Sequence, residues 1–430
     1  MAFNLALLGA SSAGLSRYYF ATLGNGAYDF IGNGTYDSSG NLYLTGNSGY
    51  LGKYTIGLER IWETSVSSFN SGDVGIDSAQ NVYVSGTSPV DLGRQYDGGA
   101  VKFDSSGVLQ WARALGYGGY DSFGAIAIDS SGNSYHGGSV QGQFGQNKQA
   151  VFLAKYNSSG SLQWQRILGQ STSDQFGPYQ IAIDSGDNIY VGGMRANIGA
   201  GVPARGLVAK YNSSGSLQWQ REITGAPTRI QAFFLSVDSS DNLYVSGGAG
   251  TQTANPNFKV PYLAKFTSGG SLQWQRTPAD GPSGNEGKKL SFDSANNVYL
   301  VTSTGAVKFS SAGVVQWERS WLGVDINKLL ILPDPLSGEE DLIWLGTTSN
   351  SGQGSNDSFV ARTPTDGSLT GSYQLGGATY TYQASSIGAF SDPGYSSGGG
   401  SLSSASTSFS SDTLSNTQSL VESVKDLIII

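Results

Sequence analysis

Six aspartates in this chain each stand four residues ahead of an asparagine: Asp37/Asn41, Asp77/Asn81, Asp129/Asn133, Asp184/Asn188, Asp238/Asn242 and Asp293/Asn297. Oxygen-bearing side chains at this spacing have two uses. They could ligate calcium, which takes about 6–8 oxygens, usually from alternating acidic residues and a bidentate glutamate. They could instead fold a turn, the aspartate capping backbone amides two residues on while glycine or asparagine accepts a positive φ. One aspartate and one asparagine per loop is a poor calcium set, so the spacing predicts turns.

Other candidates for chemistry also read as structure. The chain has one histidine, His136, and no cysteine. His136 stands where other copies of its segment carry Val84, Val191 or Val245, which predicts a buried strand filler rather than a base or ligand. One histidine and no thiol exclude the commonest metal clusters and nucleophile–base pairs. Lysines recur at 53, 102, 155, 210, 265 and 308, and arginines at 113, 166, 221, 276 and 319. A catalytic residue has no reason to occur five or six times. These cations are expected to pair with turn carboxylates or backbone carbonyls at repeat junctions. The acids Glu339, Glu340 and Asp341 are sequence neighbours and are read as a solvated loop, not as two carboxylates facing one glycosidic bond. Neither catalytic, cofactor nor metal residues are assigned.

The elements that must carry these residues are strands in a repeat. Six segments end in related tryptophans, Trp62, Trp111, Trp164, Trp219, Trp274 and Trp317, spaced 49, 53, 55, 55 and 43 residues apart. A period of that size marks a repeat architecture. In residues 121–169, GAIAID leads through DSSGN to SYHGGSV, then AVFLAKYN leads through NSSG to SLQWQRILG. Each run has strand length and composition and is bounded by turn residues. The unit is a four-stranded meander, with an aromatic two residues after each turn asparagine (Tyr43, Tyr83, Tyr135, Tyr190, Tyr244, Tyr299). A degraded seventh copy offers Trp344 in DLIWLG as its aromatic. RYYFATLG at 17–24 is an extra strand of the fourth type standing before the first copy, and is expected to close the ring; residues 369–375 are the alternative. The fold class expected is all-β, a seven-bladed β-propeller spanning 17–383, with the six repeated tryptophans packed between adjacent blades.

Composition agrees. Glycine numbers 62 of 430, charged residues make up only 13%, and the net charge is −8. No lysine or arginine stripe is present to neutralise phosphates, which argues against nucleic acid as partner. No run approaches the ~20 apolar residues of a membrane span.

VAKYNSSGSLQWQR (208–221) with IDSGDNIYVGG (183–193) resembles the bacterial and viral β-propeller repeats known as SBBP repeats. The likeness covers 17–376. Together with the apolar start MAFNLALLGA, it is also similar to structural proteins of marine tailed phages. The resemblance implies the architecture and a place in a bacterial extracellular protein or a virion; propellers host unrelated activities.

The ends complete the domain reading. Residues 1–16 are an apolar segment, lacking the positive start of a signal peptide, and are expected to dock on a partner. Residues 384–410, rich in Ser and Gly, read as a linker. Residues 411–430 read as a short amphipathic helix whose Leu414, Val421, Val424, Leu427, Ile428, Ile429 and Ile430 form a docking or oligomerisation stripe. Loops 88–99, 140–149, 194–206 and 249–261 vary between copies; they read either as the place for recognition of a polar ligand such as a glycan or as drifted surface loops. The function expected is non-enzymatic: a structural and binding propeller of a multi-subunit assembly, a tailed-phage tail or capsid appendage located in the virion. The alternative is a secreted lectin-like or polysaccharide-active protein.

Overall fold

A computed structural model of the chain describes all residues except 1–2, 8–18, 24–30, 67–68, 89–96, 116–120, 142–148, 169–173, 198–203, 225–228, 232, 251–258, 279–285, 335–337, 349–356, 376–377, 386–388, 395, 400–403 and 406–430. Seven antiparallel sheets follow one another along it. Blade one is built from Ile31–Tyr36, Leu42–Gly46, Tyr50–Tyr54 and Arg60–Ser65, paired in that order. Blades two to six repeat the meander, starting with Asn70–Ile76, Ser122–Ile128, Asp174–Ile183, Phe234–Val237 and Leu290–Phe292. Blade seven starts with Val324–Pro333, continues through Glu340–Thr348 and Asp357–Pro364, and takes its fourth strand, Tyr19–Leu23, from the other end of the chain. The first strands of all seven blades touch in a closed circuit around a central channel. The chain is thus a seven-bladed propeller, all β among its described residues apart from one 3-10 turn at Asn47–Gly49. Tyr19–Leu23 seals the ring, as the seventh copy's lack of a fourth strand requires.

The core lies between blades, not within them. Seven clusters of buried side chains each join one sheet to the next, from Tyr43, Val82 and Val101 between blades one and two to Leu44, Leu332 and Val360 between blades seven and one. A sheet packed on both faces reads as near-continuous burial, and Leu42–Gly46, Asp97–Phe103 and Leu243–Gly250 are buried at every residue. The loop aspartates fold turns as expected. Asp37 Oδ1 accepts from the amides of Ser39 and Asn41 at 3.0 and 2.9 Å, and the same pattern recurs at Asp77, Asp129, Asp184 and Asp238.

Three expectations are corrected. Residues 369–375 do not close the ring; Gly371–Leu375 pairs with Ala378–Ala384, which extends the outer edge of blade six. The described residues within 384–410 are not a plain linker. The chain runs backwards around the propeller, adding Phe390–Ser391 to blade five, Ser396–Gly399 to blade four and Ser404–Ala405 to blade three. A Ser/Gly segment cannot bury a core, but an edge strand needs only backbone donors and acceptors, and each outer strand offers an unpaired row of them. In the seventh copy Ile343, opposite Arg362, takes the place that Tyr43 holds opposite Lys53; Trp344 turns to the other face and packs against blade six.

At the N-terminus, Phe3–Leu7 pairs with Tyr19–Leu23 as a fifth strand of blade seven, so this part of the expected docking segment is engaged with its own chain. The docking residues Leu414, Val421, Val424, Leu427, Ile428, Ile429 and Ile430, and most of the variable loops, lie outside the described residues.

Candidate functional site

The repeated polar residues are gathered blade by blade into one structural cluster. In blade three Asp129 Oδ2 accepts from Asn133 Nδ2 at 2.7 Å and from the Tyr135 hydroxyl at 3.1 Å, and lies 3.2 Å from Lys155 Nζ. The ammonium also sits over the Tyr135 ring, 4.8 Å from its centroid. Asp37, Asp184 and Asp293 repeat this with Lys53, Lys210 and Lys308 at 3.1, 2.8 and 3.1 Å. Burial alone would raise these carboxyls, but the asparagine amides and the lysine hold Asp37, Asp129, Asp184 and Asp293 below the ordinary aspartate range. Burial and the adjacent aspartate push the Tyr43, Tyr83, Tyr135, Tyr190 and Tyr299 hydroxyls well above theirs. Neither group is a general acid or base near neutrality.

The tryptophans and arginines join neighbouring blades. Trp111 Nε1 donates to Ser158 O at 3.2 Å and Arg113 Nε to Gly160 O at 2.8 Å, both in the second turn of the next blade. Trp164, Trp219, Trp274 and Trp317 reach Ser213, Ser268, Ser311 and Thr365 in the same way, at 3.0–3.1 Å, and Trp62 reaches Ser105. Each ring lies over a glycine of that turn, and each meets the tyrosine of its own blade edge-on at 5.6–6.0 Å. On the partner turn, Ser130, Ser185 and Ser239 donate to Asp187, Asp241 and Asn296 of the following blade. The cations therefore meet turn carboxylates and carbonyls, as the repetition implied.

His136 is fully buried between Phe123 and Tyr156, ring centroids 5.5 and 5.6 Å away, with Nε2 3.0 Å from Ser134 Oγ. Burial drives its pKa down to about 3. It is a strand filler. The acids at 339–341 are not simply solvated. Asp341 is buried and receives Arg362 Nε at 2.9 Å, while Arg362 Nη2 also reaches Asp334 at 2.6 Å. This triad replaces the lysine–aspartate cluster in blade seven. Glu340 accepts from Ser294 of blade six.

The candidate site is elsewhere, on the channel axis, and sequence reasoning missed it. Most first strands carry a bulge, between Ile31 and Asn33, Ser71 and Asp73, Phe123 and Ala125, Pro178 and Gln180, and Ile326 and Lys328. A bulge re-aims the side chain that follows it. The seven equivalent positions are Asn33, Asp73, Ala125, Gln180, Phe234, Lys289 and Lys328. Five of them converge. Asp73, buried, accepts from Asn33 Nδ2 and, at 2.9 Å, from Gln180 Nε2. Lys289 and Lys328 approach its Oδ1 to 3.5 and 4.0 Å, and Lys328 Nζ donates to Asn33 Oδ1 at 2.8 Å. Burial opposes the charge on Asp73, yet the two lysines keep its carboxyl below the usual range. Burial and the like charge of Lys289 bring Lys328 down to about 7. The only sequence signal was a position, four residues before each turn aspartate in blades one to six, that refuses to repeat.

Among the described residues no group of three or more His, Cys, Asp or Glu side chains is placed to hold a metal, and no helix is long and apolar enough to cross a membrane.

No family model and no curated protein matches the chain. Solved structures similar to it include a protein of unknown function from Bacteroides caccae (14% identity, 65% of this chain and 93% of that one, TM-score 0.40). They also include BamB from Moraxella catarrhalis (11%, 79% and 100%, TM-score 0.42) and the quinohemoprotein alcohol dehydrogenase from Comamonas testosteroni (10%, 75% and 65%, TM-score 0.45). At these identities the likeness concerns fold and not chemistry.

Proposed function

We propose that this chain is a non-catalytic structural and binding propeller that serves as one part of a larger assembly, a tail or capsid appendage of a tailed phage. The observation that carries the reading is where the repeated ionisable groups go. Lys155 is held by Asp129 of its own blade, while Arg113 and Trp111 are used to fasten one blade to the next. A ring locked in this way, sealed by Tyr19–Leu23 and belted by the strands after residue 377, is suited to bearing load and presenting its rim. The repeat sequences and their resemblance to SBBP-type and phage propellers support the same reading. The contact with the assembly is assigned to the apolar residues between Leu414 and Ile430, and contact with a host glycan to the variable rim loops.

Light scattering on the full chain and on a chain ending at Ala405 tests the reading. Self-association or capture of virion proteins by the full chain, lost on truncation, is the expected result. A monomeric full chain that is absent from purified phage particles and turns over a polysaccharide overturns it in favour of a secreted enzyme. Saturable glycan binding by such a monomer, without turnover, overturns it in favour of a lectin.

A further inference from the structure

The channel cluster has a use beyond scaffolding. Beside it lies a cavity of about 290 Å³ with a divided wall. One side is charged and polar: Asp73, Lys289 and Lys328, with the Gln180 amide. The other comes from blades three, four and five, where Ala127, Ala182 and Phe234 are apolar and Ser236 is polar; Ile126, Ile181 and Leu235 border it but are buried in the interblade clusters. We propose that this cavity binds a small carboxylate carrying an apolar body.

The charge balance argues for an anion. Below about pH 7, where Lys328 keeps its proton, two ammonium groups face one carboxylate, which leaves one positive charge uncompensated in a site largely withdrawn from water. Such a charge is costly to bury alone, and a monoanion cancels it. Asp73 shows how this site receives a carboxylate: both lysines approach it, while Asn33 and Gln180 donate amide hydrogens. Each ammonium carries three donors. Lys328 directs one to Asn33 Oδ1 and another toward Asp73, so donors remain for a ligand. The apolar residues Ala127, Ala182 and Phe234 argue for the rest of the molecule. A head group held by the lysines places its tail against blades three to five, where withdrawing apolar surface from water favours binding. The volume suits a ligand at the small end of the range of protein pockets.

The proposal is independent of the scaffold reading, since a virion propeller can hold a ligand in its channel. Titration calorimetry of the full chain with sodium hexanoate, hexanol and inorganic phosphate, at about pH 6 where Lys328 is charged, tests it. The expected result is one saturable hexanoate site, with hexanol and phosphate each weaker by about tenfold or more. Lys289→Met, with an unchanged circular-dichroism spectrum, should weaken hexanoate by about the same factor. Equal binding of hexanol would show that charge is not read, and equal binding of phosphate that the apolar wall is not used; either overturns the proposal. So does the absence of saturable hexanoate binding, or an unchanged affinity in folded Lys289→Met. The first three outcomes use the unaltered chain and stand even if the variant does not fold.

Discussion

Trp111 lies so close over Gly160 that a β-carbon on the glycine would come within 2.7 Å of the indole. The glycine is needed twice, because its φ of +78° also excludes an ordinary side chain. The same pairing joins Trp62 to Gly107, Trp164 to Gly215, Trp219 to Gly270, Trp274 to Gly313 and Trp317 to Gly367. The indole and the turn that receives it are therefore one device, repeated at six blade junctions.

Gly40 separates the two demands. Its φ is also +78°, but a β-carbon there meets nothing within 4 Å. Gly40→Ala should cost the backbone strain alone, about 1–2 kcal/mol. Gly160→Ala should cost that plus about 1–3 kcal/mol for displacing the indole. Urea unfolding of both variants checks this; equal losses would mean that the ring adjusts freely.

Trp111 is the most buried of the six repeated tryptophans, at 7% exposure; the others remain half-buried. Trp111→Ala should cost about 3–5 kcal/mol, and Trp164→Ala less. A thermal melt in which Trp164→Ala is the more damaging contradicts the packing order.

His136 binds a proton in the unfolded chain below about pH 6.5 but in the folded chain only below about 3. The unfolded state therefore holds more protons in that window, and stability falls as pH drops through it. His136→Val, the residue of the sibling copies, should remove this part of the acid sensitivity. The turn aspartates with depressed pKa act lower, their stabilisation being present above about 3.8 and lost as pH falls through their folded values. Denaturant midpoints of wild type and variant that stay parallel from pH 7 to pH 4 would contradict the histidine assignment.

Lys328 works in the opposite range. Its pKa falls from 10.5 to about 7 on folding. Between those values the unfolded chain keeps a proton that the folded chain has released, so stability rises with pH, by up to about 1.4 kcal/mol per unit. Relative to Lys328→Met, the wild type should gain stability from pH 7 to pH 10. A difference independent of pH would show that the ammonium keeps its normal affinity for the proton.

Removing residues 386–430 should uncover the outer edges of blades three, four and five. Open edges pair with other chains. The truncated chain is expected to aggregate more readily on heating with little loss of the seven interblade cores. Turbidity equal to that of the full chain would show that the belt does not protect those edges.

What recurs was legible in the sequence. The six tryptophans, the Asp–x–x–x–Asn turns and the aromatic that follows them specify strands, turns and blade number, because each copy meets the same neighbours. The surplus strand at 17–24 announced the ring closure for the same reason. What does not recur was hidden. Asn33, Asp73, Gln180, Lys289 and Lys328 are up to 295 residues apart, share no motif, and become a site only when closure of the ring brings the residue after each bulge to one axis. The backward course of residues 378–405 was hidden too, since edge pairing uses backbone groups that every residue has. Local periodicity is written in side-chain types; convergence at the axis and pairing at the rim are decided by where the closed ring puts each backbone.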